Sequence, residues 1–127
     1  MNSLDTNLIL RFLLNDIPTQ KSKAKALITN SQVYISDVVV TETVYVLERV
    51  LNYDRNFISH IMRIFLSIPN VSHNDHILQD ALSLFKKMPS LSFVDCYAAT
   101  EAKIFGTNLY TFDKKLINQG GAHVQAP

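Results

Sequence analysis

Short β-branched runs alternate with longer segments of helical periodicity along this chain, and that alternation narrows the folds open to it more than any other feature. Residues 33–36, VYIS, are rich in strand-forming side chains. So are residues 108–111, NLYT, while Val71 marks the core of a short edge strand and residues 123–125 a possible last one. Met1 to Asp5 is a short first strand with only Leu4 strongly apolar. Between these runs the apolar period is helical. Leu8, Ile9, Phe12 and Leu13 share one face, Pro18 opens a helix to about Ile28, and Asp37 is placed to cap a long helix to about Leu51. Phe57 to Leu66 forms another helix, Asn74 or Asp75 starts one that ends near Lys87, and Ser92 caps one that Gly106 stops. Asp113 to Ile117 is a helical turn. This order predicts an α/β fold: a central parallel sheet of four to five short strands flanked by helices. No repeat or linker interrupts it, so residues 1–127 are expected to form a single domain.

Composition enters mainly by exclusion. An apolar fraction of 47% with 18% charged residues is not that of a disordered chain. No apolar run approaches the roughly 18 residues that a membrane span needs. No basic segment followed by an apolar stretch opens the chain, so a cytoplasmic location is expected. Cys96 is the only cysteine, which leaves no disulfide framework and no CxxC zinc pair; it reads as a small buried hydrophobe. His73 and His76 lack a third ligand, and no phosphate-binding loop, nucleophile elbow or dinucleotide fingerprint is present. Phe12, Phe57, Phe65, Phe85 and Phe93 recur at apolar helix positions and read as core.

The chemistry lies in four carboxylates. Asp5 follows the first strand and Asp113 follows NLYT by one residue. In open α/β sheets ligands bind beyond the carboxyl ends of strands, so both acids would face one crevice. Taken singly, each is better explained as a helix cap. Glu42 is different: its helical neighbours are Val38, Val39, Tyr45 and Val46, so it is a charge on an apolar stripe, with Arg49 as its possible structural partner. Glu48 falls with Thr41 on a polar edge and reads as solvated. Asp95 shares a helical face with Ala98, Ala99 and Ala102, and Ser92 stands at capping-box spacing from it. As a set without matching cations, the four acids would repel one another unless a divalent metal held them. Oxygen ligands suit Mg²⁺ or Mn²⁺, and such a metal suits in-line hydrolysis of a phosphodiester.

Four strings then bear on identity: LDTNLILRFLL (4–14), SDVVVTETVYVLE (36–48), FVDCYAATEA (93–102) and LYTFDKKL (109–116). Together they resemble the PIN domain, and within it the VapC-type toxins of bacterial and archaeal toxin–antitoxin pairs. The resemblance runs in order along nearly the whole chain. It implies a compact PIN-like fold and a metal-dependent endoribonuclease leaving a 5′-phosphate and a 3′-hydroxyl. It matches Asp5, Glu42, Asp95 and Asp113 to the acidic quartet that binds Mg²⁺ or Mn²⁺, and Asn7 and Thr111 to the polar residues that flank it. It also implies a homodimer, an RNA substrate and a cognate antitoxin whose C-terminal tail enters the active-site groove. Two features depart from the pattern. The first strand, MNSL, is short and polar, and no basic cluster stands out; Arg11, Lys114 and Lys115 are the basic residues near the motifs and the candidates for phosphate contact. The competing function classes are a catalytically silent PIN-like module that binds metal or RNA and regulates a partner, and a metal-free protein in which all four acids are caps or ion pairs.

Overall fold

The computed structural model describes residues 1–127, which divide into two units, Met1–Asn74 and Asp75–Pro127. In the first unit three two-residue strands, β1 (Asn2–Ser3), β2 (Val33–Tyr34) and β3 (Val71–Ser72), pair in parallel in the order β1-β2-β3. The register sets Asn2 against Val33 and Val33 against Val71. Backbone bonds carry the ladder past the strand ends, from Leu4 N to Tyr34 O at 3.0 Å and from Ile35 N to Ser72 O at 3.0 Å. β1 is polar and exposed, so Leu4, just beyond it, supplies the burial that the strand itself lacks.

Helices α1 (Thr6–Leu13) and α2 (Pro18–Asn30) form a hairpin after β1. Proline at the start of α2 forgoes an N–H that would have had no intrahelical partner. Lys21 Nζ donates to Phe12 O at 2.7 Å and Leu14 O at 3.3 Å, satisfying carbonyls at the end of α1 that the helix leaves open. Helix α3 runs Asp37–Tyr45, and its cap is Ser36, whose Oγ accepts from Val39 N; Asp37, expected as the cap, is instead the first helical residue. The helix does not continue as α-helix to Leu51. Residues Val46–Val50 form a π-helical turn, closed by Leu51 N donating to Val46 O at 2.9 Å. Helix α4 (Arg55–Leu66) starts two residues before the expected Phe57 because Asp54 caps it, accepting from Phe57 N at 2.8 Å. Ile9, Val40, Val44, Leu47, Ile58 and Met62 form the centre of this unit's core. Phe57, expected in the core, lies on the exposed side of α4, stacked on Tyr53.

The second unit holds α5 (Asp75–Lys87), α6 (Phe93–Ile104), β4 (Leu109–Tyr110), α7 (Lys114–Gln119) and β5 (Val124–Gln125). β4 and β5 pair in parallel, with Leu109 opposite Val124. Within each unit the strands are short and pair in parallel, as the alternation predicts, but hydrogen bonds group them as a sheet of three and a sheet of two rather than as one sheet of four to five. α5 packs on α6, with Leu78, Leu82 and Phe85 fully buried and the Phe85 ring meeting Phe93 edge-on at 5.6 Å. Cys96 is buried, as expected of a small hydrophobe.

Gly106 ends α6 with φ +68°. Its N–H donates to Lys103 O, and Thr107 N donates to Ala102 O, the paired bonds of a Schellman stop. A Cβ at Gly106 would meet nothing within 4 Å, so only backbone conformation resists substitution. Gly106→Ala is expected to lower stability by about 1 kcal/mol, measured as a shift in the urea midpoint with an unchanged slope. No helix is long and apolar enough to cross a membrane.

Candidate functional site

Asp5 sits two residues beyond β1 in extended backbone, and its Oδ1 accepts from Leu8 N at 2.9 Å, capping α1. Asp113 does the same for α7: its Oδ1 accepts from Lys115 N at 2.9 Å and Leu116 N at 3.3 Å. Asp95 closes a full capping box, in which Ser92 Oγ accepts from Asp95 N at 3.1 Å and Asp95 Oδ2 accepts from Ser92 N at 3.4 Å. The capping explanation thus holds for all three aspartates. It does not exhaust them, because in each one oxygen takes the backbone bonds while the other carries none. A helix N-terminus also carries partial positive charge, which favours a carboxylate at each of these places.

Asp95 is half-exposed rather than sunk in an apolar face, so its charge needs no buried partner. Thr111 supports Asp113 directly: its Oγ1 accepts from Asp113 N at 3.0 Å, tightening the turn between β4 and α7.

Glu42 makes no hydrogen bond or ion pair. It lines the cavity near Val39 and Val46, but the apolar stripe expected to carry it inward faces outward: Glu42 is exposed, as are Val38 and Tyr45, so its charge needs no buried partner. Its possible structural partner, Arg49, pairs instead with Glu48 at 3.5 Å. Glu48 was expected to be solvated, yet its side chain is only 18% exposed and its Oε2 lies 2.7 Å from Arg55 Nε. The reason is a partner from outside the helix: Arg55, at the start of α4 and itself only 13% exposed, lies against Glu48, whereas Thr41, on the same face by period, is equally half-buried.

Asp5 and Glu42 line one cavity of about 530 Å³ in the first unit, with Asn7 and Arg11 also in its wall. Arg11 is engaged by Asp16, an ion pair on the same wall. The Arg11 guanidinium beside Asp16 holds that carboxyl below its ordinary range. Arg11 is therefore already committed to a carboxylate, which works against its expected place as a phosphate contact. Thr6, also in the wall, is buried, and its Oγ1 has no hydrogen-bond partner.

The donors are hard oxygens: two carboxylates without a cation, plus an unsatisfied buried hydroxyl. That chemistry fits Mg²⁺ or Mn²⁺ and not a soft metal. Within neither unit do three His, Cys, Asp or Glu side chains gather into a metal-sized cluster. The structure thus brings Asp5 and Glu42 together in one cavity, and sets Asp95 and Asp113 each at a helix start.

The reading from sequence passed over two exposed aromatic side chains, Tyr110 and Phe112, beside Asp113. The usable signal was the alternation within LYTFD, hidden because the strand proper is two residues long. A family model described as PIN domain matches residues 3–121, a span that includes all four carboxylates. No curated protein matches the chain.

Proposed function

The chain belongs to the PIN domain family, generally a nuclease fold whose members bind divalent metal, and from that premise we propose that it is a metal-dependent endoribonuclease, the toxin of a type II toxin–antitoxin pair. Residues 1–127 are its nuclease domain, acting in the cytoplasm. Asp5, Glu42, Asp95 and Asp113 hold Mg²⁺ or Mn²⁺, with Asn7 and Thr111 as their polar neighbours. The metal supplies activation of water and charge neutralisation at the leaving oxygen in phosphodiester hydrolysis. The protein's part is to hold carboxylate oxygens in place. In Asp5, Asp95 and Asp113 one oxygen is fixed by backbone N–H groups, so the other is presented with little freedom left to lose.

The observation that carries this reading is the uncompensated pair in one cavity: Glu42, unpaired, lines it together with Asp5, and Arg11, the one cation in its wall, is paired with Asp16. The RNA substrate, the homodimer and an inhibitory antitoxin are supported by the resemblance of the four strings to VapC-type toxins. The test is cleavage of total RNA by purified protein with Mg²⁺, with Mn²⁺ and with EDTA, beside Asp5→Asn and Asp95→Asn. At position 5 asparagine caps a helix about as well as aspartate, and at position 95 it keeps an oxygen for Ser92 N, so these variants remove charge and leave the helix starts intact. Cleavage that needs metal and is lost in both variants is expected. Equal cleavage in EDTA, or undiminished cleavage in both variants, would refute the assignment.

A further inference from the structure

A second cavity, of about 540 Å³, opens in the second unit, between α5, α6 and the chain from Gln119 to His123. None of the four carboxylates of the metal set lines it. Thr100, in its wall, sits on α6 at 6% exposure, and its hydroxyl bonds to no group of the protein. Helical threonines elsewhere in this chain return the hydroxyl to the preceding turn: Thr41 Oγ1 donates to Asp37 O at 2.8 Å and Thr43 Oγ1 to Val39 O at 2.7 Å. Thr100 forgoes that bond, so its hydroxyl is satisfied only from the cavity. Lys87 and Lys103 also line the wall, and neither is in an ion pair. Each falls in the last turn of its helix, where a cation is favoured. That accounts for the lysines and not for Thr100. Asp80 is the one carboxylate in the wall, which therefore carries net positive charge. His123 Nε2 lies 2.6 Å from Ala99 O. A carbonyl only accepts, so Nε2 of the neutral ring holds the proton and Nδ1 is left as an acceptor. Gly121, at φ +119°, borders that side of the ring: a Cβ there would lie 2.9 Å from both Nδ1 and Cε1.

The cavity falls within the roughly 300–1,000 Å³ range of small-molecule sites. Thr100 and Lys103 stand three apart on α6 and share a face, so a hydroxyl and an ammonium can serve one group. Both donate. A phosphate monoester, with acceptor oxygens and a charge of about −1.5 to −2 at neutral pH, uses both. We propose that this cavity binds a nucleoside monophosphate. Thr100 and Lys103 hold the phosphate, and Lys87 adds charge from α5. Nδ1 of His123 accepts from a sugar hydroxyl, and Leu84 and Ile104 give the base an apolar surface. Inorganic phosphate alone would leave that apolar surface unused. The proposal does not depend on the ribonuclease reading, since none of these residues belongs to the metal set.

Binding is measured by calorimetry on the whole chain with metal chelated. The probes are the common nucleoside 5′-monophosphates, the matching nucleosides and inorganic phosphate. At least one monophosphate is expected to bind with one-to-one stoichiometry, more tightly than its nucleoside or phosphate alone. Thr100→Val keeps the size of the side chain and removes the hydroxyl. It is expected to weaken binding about tenfold, as is Lys103→Gln, while Thr100→Ser retains wild-type affinity. The thermal midpoint of ligand-free Thr100→Val should not fall, because the hydroxyl has no protein partner to lose. No binding of any monophosphate at millimolar concentration overturns the proposal, as does wild-type affinity in Thr100→Val. Inorganic phosphate binding as tightly as the monophosphate removes the nucleoside from the site, and a nucleoside binding as tightly removes the phosphate; either overturns it. A lowered midpoint in ligand-free Thr100→Val makes the hydroxyl structural and overturns it too. In each case the ribonuclease reading stands.

Discussion

Glu42→Gln is expected to reduce metal-dependent RNA cleavage on the order of 10²–10³-fold while leaving the thermal midpoint of the metal-free protein essentially unchanged. The two halves of this expectation come from one fact: Glu42 has a prominent place and no structural employment. It caps no helix, and the arginine that might have neutralised it is turned to Glu48. Glutamine keeps its size and one oxygen but removes the charge that attracts a divalent cation. A second measurement separates metal binding from catalysis. Mn²⁺ should raise the midpoint of wild type, because a ligand that binds only the folded state stabilises it, and should raise that of Glu42→Gln less. Full activity in Glu42→Gln would remove Glu42 from the site. A fallen midpoint with retained activity would make it a structural residue after all.

Phe85→Ala is expected to cost about 3–5 kcal/mol. Phe85 is fully buried on α5, and its ring sits edge-on to Phe93, the first residue of α6. Truncation loses the burial of the ring and the aromatic contact and leaves a cavity that rigid helices cannot close. That is a large share of the roughly 5–15 kcal/mol that holds a domain folded. The damage falls at the start of α6, where Ser92 and Asp95 close their capping box, so nuclease activity should fall with stability and recover on cooling. Urea unfolding measures it; a loss below about 1 kcal/mol would mean that the pocket refills.

Much of this arrangement could be read from the sequence. Pro18, Ser92 and Gly106 punctuate helices through local chemistry, and the structure has them doing so. Asp113 follows a strand that its aromatic and β-branched residues marked, Asp5 follows one that is short and polar, and both capping bonds lie within a turn of sequence. The failures share a cause: they depend on contacts that periodicity does not describe. Glu48 looked solvated because its partner, Arg55, stands on the next helix, out of reach of one helix's period. Phe57 looked buried because its position was apolar, though it finds Tyr53 on the surface instead. Ser36 and Asp37 are both good caps in adjacent positions, and composition cannot choose between them. Capping and metal binding stood as rivals for three aspartates because a sequence does not show that a carboxylate has two oxygens to give.

The π turn also changes how this chain should be compared with others. Each i to i+5 loop encloses one residue more than an α-helical one, and Leu51 N to Val46 O is such a loop. At a helix end such a loop widens the last turn without needing an inserted residue, so Glu42 before it and Arg55 after it are the positions at which another chain is best matched by structure rather than by residue count.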